Sequence, residues 1–89
     1  MDARQIVAWN IRRIRVAKGI SQDDLALSAG IERSYAGHLE RGRKNPTVLT
    51  LEKLALALGC EIGELVAPRP EGATELKPLK SGRRRPTDS

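Results

Sequence analysis

Apolar residues recur at helical spacing between Val7 and Val66, and the runs are broken by glycine or proline. Val7, Ile11 and Ile14 stand at i, i+4 and i+7, with Ile6 and Ala17 beside them. This predicts a helix from about Ala3 to Lys18 with Gly19 as its stop. Arg12, Arg13 and Lys18 fall on its wet side, and Trp9 lies off the stripe, as a part-buried flank or a protein contact. Ser21 is a helix-capping type, Asp23 and Asp24 suit a helix's positive end, and Leu25, Ala26 and Ala29 give one narrow apolar face. Gly30 breaks this second run and can take the left-handed conformation of a sharp turn. Ile20 and Leu25 are expected to close the core between the first two helices.

A third helix is expected over roughly 33 to 41, with Glu32 at its cap position and Gly42 ending it. Ala36 and Leu39 should face inward, and Arg33, Ser34, Gly37, His38 and Arg41 outward. Gly37 inside a helix costs about 1 kcal/mol relative to alanine, so it either permits a close approach or is a tolerated imperfection. Residues 42–47, GRKNPT, read as a polar turn with adjacent cations. Thr47 should cap a fourth helix, about Val48 to Leu58, with Val48, Leu51, Leu54, Ala55 and Leu58 inward and Gly59 closing it. A short fifth helix, about Ile62 to Val66, supplies Ile62 and Leu65. Cys60 should fill a small apolar site, as a buried free cysteine does. The expected fold is therefore all-α, a compact five-helix domain over residues 1–68.

Beyond it the composition changes. Residues 68–89, PRPEGATELKPLKSGRRRPTDS, contain four prolines and two glycines without periodicity. Such a segment cannot bury enough surface to order itself, so 69–89 is expected to be a flexible tail. The chain has 89 residues with 16 Lys and Arg against 11 Asp and Glu, a net charge of +5. Residues 1–68 hold 10 basic and 8 acidic residues, the tail 6 and 3, so binding by the domain must come from a local patch. A basic balance suits polyphosphate partners. Phe is absent and aromatics are 2%, which disfavours stacking platforms for single strands. No run of 18 apolar residues or N-terminal hydrophobic segment predicts a membrane span or export. The single Cys60 cannot form an internal disulfide and makes no metal set with the one histidine, which fits a reducing cytoplasm.

Two short helices joined by a tight glycine-containing turn, residues 21–42, have the helix-turn-helix layout, whose second helix can enter a major groove. The segment SQDDLA followed by AGIERSYAGHLERGRKNPTVLTLEKLALALG resembles the Cro and lambda-repressor type of domain, the XRE-like regulators. The likeness runs from about Val7 to Leu65. Ser21-Gln22, Leu25-Ala26, Gly30, Tyr35, Glu40-Arg41-Gly42, Pro46, Leu54-Ala55 and Leu58-Gly59 all fall in register.

The resemblance implies a sequence-specific regulator of double-stranded DNA, a repressor or similar, with no cofactor or metal and no enzyme activity. The one histidine also lacks a nucleophile-base-orienter arrangement. Base contacts would come from Arg33, Ser34 and His38, an arginine being able to bond guanine O6 and N7 bidentately. Phosphate contacts would come from Gln22, matching a family glutamine, and from Tyr35, Arg43, Lys44 and Asn45. Arg43 and Lys44 could instead be ordinary solvated turn residues.

Arg15 lies close to the buried stripe, where a charge needs a partner; the resemblance pairs it with Glu40, the alternative being a solvated arginine. A symmetric homodimer is expected on a palindromic site, with Leu49, Leu56 and Val66, joined by Trp9, as its apolar patch. Arg83, Arg84 and Arg85 in the tail could attract phosphates or be merely solvated. A different reading is an antitoxin-type interaction module that neutralises a protein partner, possible through the tail.

Overall fold

The computed structural model describes residues 2–69, and the remaining tail, including Arg83, Arg84 and Arg85, lies outside the described residues. Five helices follow one another: α1 (Ala3–Ala17), α2 (Gln22–Ala29), α3 (Arg33–Glu40), α4 (Val48–Leu58) and α5 (Ile62–Leu65). The described part is all-α.

Most boundaries have a local cause, although α3 starts at Glu32 without a side-chain cap. Asp2 caps α1: its carboxylate accepts from the amides of Arg4 (2.8 Å) and Gln5 (3.3 Å), while the Gln5 side chain accepts from the Asp2 amide. Ser21 Oγ accepts from the Asp24 amide at 3.0 Å, and Thr47 Oγ1 from the Thr50 amide at 3.0 Å. Gly30 and Gly59 end α2 and α4 in the left-handed conformation, with φ of 71° and 69°. A side chain with a Cβ is disfavoured there.

The core joins all five helices through Val7, Ile11, Ile14, Leu25, Ala29, Leu39, Leu51, Leu54, Ala55, Leu58 and Leu65. Ile20, Ile31, Tyr35, Cys60 and Ile62 pack against its edge. Burial, opposed in part by Lys18 and Arg13, holds the Cys60 thiol above its ordinary pKa.

Val48 and Ala17 differ from the sequence expectation, and the pattern gives none for the buried Asn10. Val48 is 71% exposed rather than inward, because it starts α4 at a turn that no neighbouring helix covers. Ala17 is exposed at the end of α1, whereas Ala8 is buried. Asn10 is also buried, and its amide donates to the carbonyls of Leu65 (3.1 Å) and Ala67 (2.9 Å), while Arg13 donates to its Oδ1 at 3.1 Å. This side chain fastens the end of the domain to α1. Trp9 beside it is half-buried, with the guanidinium carbons of Arg13 and Arg69 at 5.3 and 5.5 Å from its ring centre. Lys18 is exposed but not idle: its Nζ donates to the Leu58 carbonyl at 2.6 Å, satisfying the end of α4.

Candidate nucleic-acid interface

α2 and α3 stand at an angle across the Gly30 turn, and the inner face of α3 is locked. Ala36 and Leu39 are 1% and 2% exposed. At its far end, Arg15 Nε donates to Glu40 Oε2 at 2.6 Å and Arg15 NH2 to Glu40 Oε1 at 3.0 Å. The same guanidinium donates through NH1 to the Ile20 carbonyl at 2.8 Å, in the turn between α1 and α2. Gln22 Nε2 also donates to Glu40 Oε1, at 3.1 Å. One carboxylate thus gathers groups from α1 and α2 at the base of α3. Gln22 is half-buried there, with one amide hydrogen committed to the protein and a second left over.

The outer face of α3 carries Arg33, Ser34 and Arg41, all exposed, with His38 half-buried. Arg33 Nε donates to Asp23 Oδ1 on α2 at 2.5 Å. Arg41 NH2 and His38 Nδ1 are 3.2 Å apart, a contact in which the imidazole accepts if the proton is on Nε2. Tyr35 packs its ring on the core edge and stays partly accessible. Arg43, Lys44 and Asn45 are exposed in the turn after α3, and the Arg43 amide bonds the His38 carbonyl at 3.0 Å, folding that turn back on the helix.

Gly37 departs from the outward position expected of it. It is buried, covered by its own helix's long side chains. A Cβ there would meet Arg33 NH1 at 3.4 Å and Arg41 NH1 at 3.5 Å. Positions 33, 37 and 41 form one i, i+4, i+8 stripe, so the two arginines reach toward each other over the bare backbone. Among the described residues no group of histidine, cysteine or carboxylates could hold a metal, and no helix is long and apolar enough to cross a membrane.

The helix-turn-helix family model matches residues 11–65, which span α2, the turn and α3 together with most of their support. The chain is a helix-turn-helix protein. The family consists of DNA-binding transcription regulators, not enzymes. A regulator described as an uncharacterized HTH-type transcriptional regulator, from Sinorhizobium fredii, is 46% identical over 71 residues, covering 80% of this chain and 92% of that protein. A hypothetical transcription factor from Neisseria has a crystal structure that superposes with a TM-score of 0.73 at 42% identity, over 75% of this chain and 77% of that one. The restriction-modification controller protein C.AhdI from Aeromonas hydrophila gives a TM-score of 0.68 at 42% identity, over 70% and 94%.

Within this helix-turn-helix protein, Arg33, Ser34 and His38, the side chains expected to meet bases, share the outer face of α3 with Arg41. The apolar side chains Leu49, Leu56 and Val66 are 68%, 77% and 48% exposed, and Val48 joins them on the surface. Leu49 and Leu56 are seven apart on one face of α4, with Glu52 and Lys53 exposed between them.

Proposed function

We propose that this helix-turn-helix protein regulates transcription as a homodimer on a palindromic DNA site, with α3 lying in the major groove of each half-site. The observation that carries the reading is the outer row of α3: polar and cationic side chains project from a short rod whose inner face is fixed to the core and to Arg15. Arg33 and Ser34 would meet base edges, and His38 would follow one turn later. Gln22, Tyr35, Arg43, Lys44 and Asn45 border the same face and would bond phosphates, setting the register without reading sequence. Gln22 would do so with its remaining amide hydrogen.

One α3 spans too few base pairs for a unique site, so a second copy is needed. The exposed Leu49, Leu56 and Val66 supply the apolar patch for it. Glu52 and Lys53 between the leucines would make the patch self-complementary where a two-fold axis sets each against its opposite charge on the second copy. Such a regulator would act in the cytoplasm, with its operator. Relatives named as transcriptional regulators favour this reading over an antitoxin-type module.

Binding-site selection from random duplexes, run at two salt concentrations, tests the proposal. The expected product is an inverted repeat with half-sites about 10–10.5 bp apart, and affinity that falls steeply with salt. Recovery of duplexes without any shared sequence would defeat it.

A further inference from the structure

The N-terminal ends of α2 and α3 are joined on the open face by Asp23 and Arg33, whose side chains are 77% and 56% exposed. An ion pair that open to solvent contributes little to stability. A carboxylate on a surface that faces phosphates also repels them. Beyond its favourable charge in the first turn of α2, Asp23 therefore has little to offer either folding or attraction to DNA. What it does control is the orientation of Arg33.

Asp23 Oδ1 occupies Arg33 Nε at 2.5 Å. Arg33 NH1 in turn lies against the bare Cα of Gly37, where a Cβ would stand 3.4 Å away. The guanidinium is held at one edge by the carboxylate and seated at another on the glycine. The terminal nitrogens remain as donors, and two parallel N–H groups of an arginine fork are what a guanine edge accepts.

We propose that Asp23 and Gly37 are positioning residues that set Arg33 for guanine and so determine base preference at that step. The inference rests on the reading of Arg33 as a base contact. An arginine already held loses less rotamer freedom on binding. Swinging to acceptors on a wrong base also breaks its contact with Asp23, so mismatched sites are penalised. The repulsion from Asp23 is felt on every sequence, whereas its ordering of Arg33 is rewarded on one. Asp23 sharpens discrimination at the expense of general affinity.

The test uses the full chain and measures Kd for the selected duplex, for duplexes changed at single base pairs, and for random duplex at one salt concentration. Asp23→Ala should bind random duplex about two- to fivefold more tightly, having lost a negative charge. Its preference for the selected base at one pair should fall about fivefold or more. Asp23→Asn, which keeps an acceptor oxygen, should gain the same general affinity but retain more of the preference. Gly37→Ala should lose preference at the same pair while its thermal melt stays level or rises. In an Arg33→Ala background, Asp23→Ala should leave base preference unchanged. If Asp23→Ala tightens every duplex by one common factor, the positioning role is overturned with Arg33 still a base contact. If Arg33→Ala alone alters no base preference, the underlying reading fails instead, and the positioning role with it.

Discussion

Arg15 on α1 and Glu40 on α3 meet through two hydrogen bonds, of 2.6 and 3.0 Å, with their side chains only 13% and 4% exposed. The geometry is bidentate, and the third donor of the guanidinium is spent on the Ile20 carbonyl. Removing one partner leaves a charge stranded in a poorly hydrated place. Arg15→Ala and Glu40→Ala are each expected to destabilise the domain by about 3–5 kcal/mol. Replacing both together by apolar residues of similar size should cost much less than the sum. Chemical denaturation of the three variants checks this, and near-wild-type stability of either single mutant would contradict it.

The buried Asn10 leads to a second prediction. Asn10→Ala strips the Leu65 and Ala67 carbonyls of their donor. The expected loss is about 1–3 kcal/mol. It should appear first as faster amide exchange in residues 62–69, before any change in α2 or α3. Uniform loss of protection across all helices would mean that the clasp is not local.

The leucines of α4 make a third. Leu49→Asp with Leu56→Asp places charge in the apolar patch and should convert a dimer at micromolar concentration into a monomer by sedimentation. Binding to the selected duplex should weaken, while far-ultraviolet circular dichroism stays unchanged because both positions are exposed. A wild-type chain that sediments as a monomer would remove the basis for this interface.

The Asp2 cap has a pH dependence of determined sign. The Arg4 side chain above all, helped by the Arg4 and Gln5 amides, holds the Asp2 carboxyl below its ordinary value against the opposing effect of desolvation. A lowered folded-state value means that the cap contributes fully above the ordinary aspartate range, about 3.9, and is lost as pH falls through the lower folded value. The amide shifts of Arg4 and Gln5 should therefore titrate with a midpoint below about 3.9. Asp2→Asn should abolish that titration, and an unshifted midpoint would rule the cap out.

Much of the scaffold was legible because its signals are local. Ser21 and Thr47 announce caps by their own chemistry, and Gly30 and Gly59 mark turns that other residues enter only with strain. Val48 was misplaced because periodicity tells which side of a helix a residue occupies, not whether a neighbour reaches that turn. Asn10 escaped notice for the opposite reason. Its partners are backbone carbonyls 55 and 57 residues away, which leave no trace in the pattern around it. Gly37 looked exposed because the long arms that cover it belong to arginines normally assigned to solvent. The pairing of Arg15 with Glu40 came from family resemblance, since 25 residues separate them and no spacing rule links the two. Asp23 was read only as a favourable charge for α2, and its grip on Arg33 depends on the angle between two helices.

The cluster of Arg15, Glu40, Gln22 and the Ile20 carbonyl has a bearing on how such a protein can change over generations. It anchors α3 by residues on its inner side, so the tilt of that helix is inherited separately from the side chains of its outer face. Positions 33, 34, 38 and 41 are thereby exchangeable, like type in a fixed frame. With α3 in the groove as proposed, a new operator preference would arise on that face by substitution without the architecture having to be reinvented.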